Sequence, residues 1–196
     1  MSLLKLLEER IEKDGIVIGT DILKVDMFLN HQIDTVLLDE IGKEFYRLFK
    51  DKKVDKILTV EASGIAIAVA AARYFEVPVV FAKKSSHKYI DSDIYTVECY
   101  SYTHGSTYTM GVSKKYLPDN SDILIIDDFL AGGNASRALL NIAKQANCRV
   151  NGIGVVIEKG FQPGGKELRD AGYDLRSLAI VESMSEDGIS FRHDEA

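Results

Sequence analysis

The chain is poor in the residues that would place it in several large classes. It has only two cysteines in 196 residues, Cys99 and Cys148. Both lie in apolar runs without Cys-x-x-Cys spacing, so they read as reduced core thiols and not as a disulfide framework or a metal site. No apolar run approaches the ~20 residues needed to cross a bilayer. The first ten residues, Met1 to Arg10, mix charges with leucines and do not read as a signal peptide, so the expected compartment is cytoplasmic. Positive charge is in deficit, with 24 lysines and arginines against 30 acids and a formal net charge of −6. That balance argues against sequence-independent binding of nucleic acid over the whole surface, but leaves room for a local basic site that takes phosphate. Internal repeats and low-complexity segments are absent. So are the glycine spacing of a dinucleotide fingerprint and the Gly-Lys-Ser/Thr of a Walker loop.

What remains is ordinary soluble composition, 46% hydrophobic and 28% charged, at a length that suits one well-buried α/β domain with a small appendage. One stretch stands out: Ile123-Leu124-Ile125-Ile126-Asp127-Asp128-Phe129-Leu130-Ala131-Gly132-Gly133-Asn134-Ala135. Four apolar residues, mostly β-branched, predict a buried parallel strand. Two carboxylates follow at its end, then a short apolar link, a glycine pair and the start of a helical pattern. A strand that turns tightly into a helix offers free N–H groups and a positive dipole end to an anion. Gly132 and Gly133 let the backbone approach that anion closely. Carboxylates cannot bind phosphate directly, but they accept hydrogen bonds from ribose hydroxyls or help hold a metal already attached to phosphate. An acid pair beside an anion cradle suits a phosphorylated sugar.

Along the rest of the chain, Leu3, Leu4, Leu7 and Ile11 share a helical face that ends at Asp14-Gly15. Ile16 to Ile18 is a short strand candidate, and Thr20 to Asp34 is mixed. Asp34 can cap a helix that turns Leu37, Leu38, Ile41, Phe45 and Leu48 inward. Ile57 to Val60 predicts a strand, Glu61 to Gly64 its exit turn, Ile65 to Tyr74 an Ala-rich helix, and Val77 to Phe81 the next strand, with Pro78 near its start. Lys83 to Asp93 is polar and basic. Ile94 to Tyr102 and Tyr108 to Val112 alternate around a small polar tip, 103–107, which predicts a hairpin with a mobile tip. A helix then carries Ala135, Ala138, Leu139, Ile142, Ala143 and Ala146. Val150 to Ile157 and Leu175 to Val181 are strands separated by a short helix, and Asp187-Gly188 makes a terminal turn. Strands alternating with helices predict a mostly parallel sheet covered on both faces. Ligands on such sheets bind outside the carboxyl ends of the strands, which gathers Ser63-Gly64, Lys83-Lys84, the 127–135 run and Lys159 at one rim.

The 123–135 run resembles the phosphoribosyl pyrophosphate (PRPP) signature of the type I phosphoribosyltransferases. It departs from the common pattern at Gly132 and Ala135, where hydroxyl residues are usual, so backbone N–H groups would hold the 5-phosphate. Part of that run and three further stretches extend the likeness to the bacterial xanthine-using branch of that family: Leu124 to Ala131, with Leu23 to Asp26 and Phe28 to Gln32, Val79 to Ala82, and Ile157 to Gly164. The resemblance implies a single domain over 1–196: a central mostly parallel sheet flanked by helices, a flexible hairpin loop, and a small hood from about 1–35 and the C-terminal tail. It implies transfer of a 5-phosphoribosyl group from PRPP to xanthine in purine salvage, giving XMP and pyrophosphate. Magnesium would be carried by PRPP or pyrophosphate, with no directly assigned metal ligand, and the protein would be a homodimer. PRPP would be held by Ser63, Gly64, Lys84, Asp127, Asp128, Ala131, Gly132, Gly133, Asn134 and Ala135. The base would be held by Leu23 and Asn30, which close over it, by Lys159, which recognises an oxo group, and by Phe161, which stacks on its face.

The catalytic set implied is Asp127 and Asp128, with His104 at the hairpin tip. There the adenine-specific members carry a Glu-Tyr pair and this chain has Thr103-His104. A lid at that tip would keep water from an oxocarbenium-like state. A plain exposed histidine is the bland alternative for His104, an exposed basic loop for Lys83 to Lys88, a helix cap for Ser63 and a snorkelling surface residue for Lys159. Three functional alternatives stay open. The base could instead be hypoxanthine and guanine, or adenine, although a lysine facing adenine's donor amino group is a poor match. Alternatively the domain could serve a PRPP-sensing purine-operon regulator, whose extra DNA-binding module has no counterpart here.

Overall fold

A computed structural model describes residues 3–85, 93–101 and 106–193. Helix α1 (Leu3–Asp14) leads into a two-stranded antiparallel hairpin, β1 (Ile16–Ile18) and β2 (Ile22–Lys24), and a single π-helical turn over Asp26–Asn30. Helix α2 (Thr35–Phe49) follows, started by Asp34, whose carboxylate accepts from the N–H groups of Val36 and Leu37 at 3.1 Å each. Such a cap stabilises a helix by about 1 kcal/mol. Then come β3 (Lys56–Val60), α3 (Ser63–Phe75), β4 (Val79–Ser85), the hairpin β5 (Ile94–Ser101) and β6 (Ser106–Ser113), β7 (Asp122–Leu130), α4 (Asn134–Gln145), β8 (Arg149–Lys159), α5 (Pro163–Asp170), β9 (Leu175–Ser185) and β10 (Gly188–Arg192).

Eight strands form one sheet in the order β10-β9-β8-β7-β3-β4-β6-β5. The central five run parallel, while β10 and the β5–β6 hairpin join antiparallel at the edges. Period-2 alternation divides the core between the two faces. Leu124 and Ile126 of β7 join the core under α1, α2 and α3, and Ile123 and Ile125 join the core under α4 and α5. The hood packs into the first of these cores through Leu7, Ile11, Leu23, Val25 and Phe28, which meet Val181 and Met184 of β9.

Several elements differ from the sequence expectation. Strand β7 does not stop at Ile126 but runs through both acids to Leu130, because it stays paired to β8 as far as Leu130–Glu158. Lys83 and Lys84 belong to β4 and not to a basic loop, since β6 pairs with that part of the strand. The chain after Asp187-Gly188 returns as β10 instead of ending in a turn. Ser106 and Thr107 belong to β6, while Thr103 and His104, like His87 and Lys88, lie outside the described residues. Leu4 is exposed, and Leu6 takes its place against the core.

At the amino ends of the strands, opposite their carboxyl ends, Asp122 accepts a bidentate pair from Arg149 at 2.7 and 2.6 Å, with Asn151 at 3.0 Å and Lys53 at 2.7 Å. These donors hold its carboxyl well below the usual carboxylate range. Along β8, Gly152 and Gly154 make room for two buried rings of α2. A Cβ on Gly154 would lie 2.7 Å from Cε1 of Phe45, and one on Gly152 would lie 2.4 Å from Cε1 of Phe49. Both rings are fully buried and cannot retreat. Gly154→Ala is therefore expected to cost about 1–3 kcal/mol in urea unfolding. Combining it with Phe45→Leu should recover about 1 kcal/mol of the summed cost; strictly additive losses would mean the ring is not what the glycine accommodates.

Candidate active site

Strand β7 delivers the two acids to the carboxyl rim of the sheet, and its pleat sends them to opposite sides. Asp127 is only 3% exposed. Its Oδ1 accepts the N–H of Asp128 at 3.0 Å and packs against Gly64, where a Cβ would come within 2.9 Å of it. Burial, and next the neighbouring Asp128 carboxylate, push the Asp127 carboxyl well above its usual range, with the Lys84 charge acting in the opposite direction. Asp128 is half-buried and meets the hood, accepting from the side-chain amide of Asn30 at 2.9 Å.

Beyond Leu130 the chain turns through Ala131, Gly132 and Gly133 into α4. Gly133 adopts φ +81, a left-handed conformation that favours glycine. Among the described residues, the N–H groups of Gly132, Gly133, Asn134, Ala135 and Ser136 have no acceptor. The carbonyls of the same loop are occupied: Ala131 O accepts from the N–H of Gly164 at 3.1 Å, and Gly132 O accepts from Arg137 at 2.6 Å. Five consecutive amides without a protein acceptor at a helix N-terminus can take an anion. Ser63 and Gly64 open α3 in the same way, with no side-chain cap at Ala62 and, among the described residues, no acceptor for their own N–H groups.

A cleft of about 720 Å³ joins the 131–135 loop to Asp21 and Ile22 of the hood, Tyr108, Phe129 and Lys159. The Lys159 ammonium donates to the main-chain carbonyl of Asp21 and lies 5.9 Å from the centre of the Phe129 ring. Burial pushes its pKa down. The Lys84 ammonium sits 5.9 Å from the Tyr108 ring, and the Lys84 N–H donates to Glu61 at 2.6 Å.

The structure thus brings Ala131 to Ala135 and Lys159 to one cleft. Asp127, Asp128, Asn30, Ser63, Gly64 and Lys84 do not line it, although Asp127 adjoins Gly64 and Asp128 meets Asn30. The structure does not bring two expected base contacts there by their side chains. Leu23 is buried in the core, and its neighbour Ile22 lines the cleft instead. Phe161 is 39% exposed on the turn after β8 and does not line the cleft, whereas Phe129 does. Sequence reasoning missed Arg137, Tyr108, Phe129 and Asp21. Only Arg137 carried a visible signal, since a cation in the first turn of a helix opposes the macrodipole.

The comparisons show the family to which this fold belongs. Residues 25–196 match the phosphoribosyl transferase domain, and the chain belongs to that family. Two of its relatives are more specific. A protein of Ruminiclostridium cellulolyticum named Xanthine phosphoribosyltransferase is 56% identical over 188 residues, covering 96% of this chain and 99% of its own. One of the same name from Clostridioides difficile is 52% identical over 190 residues, covering 96% of this chain and all of its own. Among solved structures, adenine phosphoribosyl transferase from Trypanosoma brucei, in complex with AMP, pyrophosphate and ribose-5-phosphate, aligns with a TM-score of 0.76. That match covers 95% of this chain and 82% of the other at 18% identity, a likeness of fold.

The buried acid gives a test. A carboxyl whose folded pKa is raised contributes stability below its unfolded value near 4 and loses it as pH rises through the folded value. Asp127→Asn removes that loss. The variant is expected to melt higher than the native chain at pH 8, with the gain shrinking as pH falls toward 4. A gain that does not depend on pH would show that the carboxyl is not the source.

Proposed function

We propose that this chain is a xanthine phosphoribosyltransferase, which joins the 5-phosphoribosyl group of PRPP to xanthine and releases pyrophosphate, giving XMP. The observation that carries the reading is the run of free amides from Gly132 to Ser136 directly beyond two acids, in a cleft that also holds Lys159. The 5-phosphate lies in the amide cradle, and Asp127 and Asp128 take the ribose hydroxyls. The N–H groups of Ser63 and Gly64, with Lys84, face the pyrophosphate. The C1–O bond to pyrophosphate breaks as the bond from C1 to a purine-ring nitrogen forms, through a state with positive charge on the ribosyl ring. The protein contributes mainly position and electrostatics. No general base is assigned, and xanthine, an acidic purine, can arrive already ionised.

Magnesium fits this arrangement as part of the substrate. Among the described residues no cluster of three or more His, Cys, Asp or Glu could hold a metal. The ion would enter on PRPP and neutralise the leaving pyrophosphate. No helix among the described residues is long and apolar enough to cross a membrane. A cytoplasmic homodimer completes the proposal, following the habit of the family.

Lys159 favours a 6-oxopurine. Its ammonium donates only, and the amino group of adenine is also a donor. In the free chain it spends its hydrogen bond on the Asp21 carbonyl, and a base oxygen would replace that partner. Product formation from xanthine, guanine, hypoxanthine and adenine is expected to rank xanthine first by kcat/KM; adenine in first place would overturn the assignment. Lys159→Ala should raise KM for xanthine by about 10–100-fold, the worth of one charged hydrogen bond, and change KM for PRPP less than about twofold. Equal effects on both substrates would remove Lys159 from the base site.

A further inference from the structure

The phosphate loop lacks a side-chain donor at positions 132 and 135, so its grip depends on where its main-chain amides point. The guanidinium of Arg137, one turn into α4, reaches back over this loop. It donates to Gly132 O at 2.6 Å, to Oδ1 of Asn134 at 2.7 Å and to the Glu167 carboxylate at 2.7 Å. Glu167 belongs to α5, whose N-terminus abuts the loop so closely that a Cβ on Gly164 would lie 2.3 Å from Ala131 O. In a trans peptide the C=O and the following N–H point in opposite directions. Tying Ala131 O to Gly164 and Gly132 O to Arg137 therefore fixes the directions of the Gly132 and Gly133 N–H groups. The left-handed Gly133 then carries the turn into the free amides that open α4.

We propose that Arg137 is a positioning residue for the 5-phosphate of the sugar substrate, acting through the orientation of the 132–135 amides; this rests on the function proposed above. Charge attraction is a poorer account of the same contacts, because Glu167 offsets the guanidinium charge at close range. Fold stability is poorer still, because the pair is exposed on both sides, 44% and 56%, and exposed ion pairs add little. What the arrangement does supply is three acceptors fixed by one planar fork, which an ammonium cannot reproduce.

The test compares two ligands that occupy different halves of the site. Ribose 5-phosphate and inorganic pyrophosphate are titrated separately into the native chain, Arg137→Ala and Arg137→Lys by calorimetry, and each variant is melted. Arg137→Ala is expected to weaken ribose 5-phosphate at least about tenfold, leave pyrophosphate within about twofold, and shift the melting temperature by less than about 3 °C. Arg137→Lys should recover only part of the loss. Unchanged ribose 5-phosphate affinity in Arg137→Ala, equal loss of both ligands, or full recovery by lysine would each overturn the positioning role. Failure of the native chain to bind ribose 5-phosphate at all would instead overturn the function on which it rests.

Discussion

A cradle of main-chain amides binds an anion only while the carbonyls of the same peptides are held elsewhere, and this chain meets that condition with partners from two helices. Gly164 at the start of α5 takes Ala131 O, and Arg137 in α4 takes Gly132 O. The first contact depends on β8, which places α5 beside β7 by running parallel to it from Asp122–Arg149 to Leu130–Glu158, while the second is local to the loop and α4. The buried Glu158, bidentate to Arg169 at 2.7 Å, then anchors α5 to the end of that strand. Burying such a carboxylate is costly unless each oxygen is paired, and here Ser177 and Arg169 supply the partners. Removing glycine at 164 would place a Cβ against Ala131 O, so the same position that donates to the loop also sets how closely α5 approaches it.

The acid pair shows a different compromise. One carboxylate would be easier to hold if it faced water, yet Asp127 is buried against Gly64 and lies beside a second acid. Both features make it harder to ionise. Stabilising the free chain would favour an amide here, while a ribose diol requires acceptors with no competing donor. Retention of the buried acid is intelligible if the substrate supplies the missing hydrogen-bond donors, which is the usual form of conflict between stability and function.

The fold was largely legible because its signals are local. The β-branched run before Asp127, the Asp34 cap and the Ala-rich α3 each specify their element without long-range help. The strand ends were less legible. β7 continues through Asp127 and Asp128 because β8 pairs with it, a long-range fact that outweighs the acids' poor strand propensity. β10 was missed for the same reason, since its alternation is short and its partner β9 decides it. At the site, the 131–135 loop and Lys159 could be placed from the rule on strand ends alone. Phe129 and Tyr108 could not, since facing the cleft is a matter of pleat and twist, and an aromatic residue in a strand reads as core. Leu23 illustrates the converse: its place in a stretch that the resemblance assigns to the base does not tell which way its side chain points, and here the side chain is in the core.

Two residues given a role toward the base, Asn30 and Lys159, are both engaged in holding the hood in the free chain. Asn30 donates to Asp128, and Lys159 donates to the carbonyl of Asp21. Each bond joins the N-terminal segment to the rim of the sheet, one at Asp128 and one at Lys159. A sugar whose hydroxyls occupy Asp128 would release the Asn30 amide, and a base oxygen on Lys159 would release the Asp21 turn. On the proposed function, the substrates would claim the same groups that hold the hood, so their binding would set one pair of hydrogen bonds against another of similar chemistry. Since exchange between such bonds changes the free energy little, occupancy of the cleft, and not a property of the hood itself, would decide which set is made.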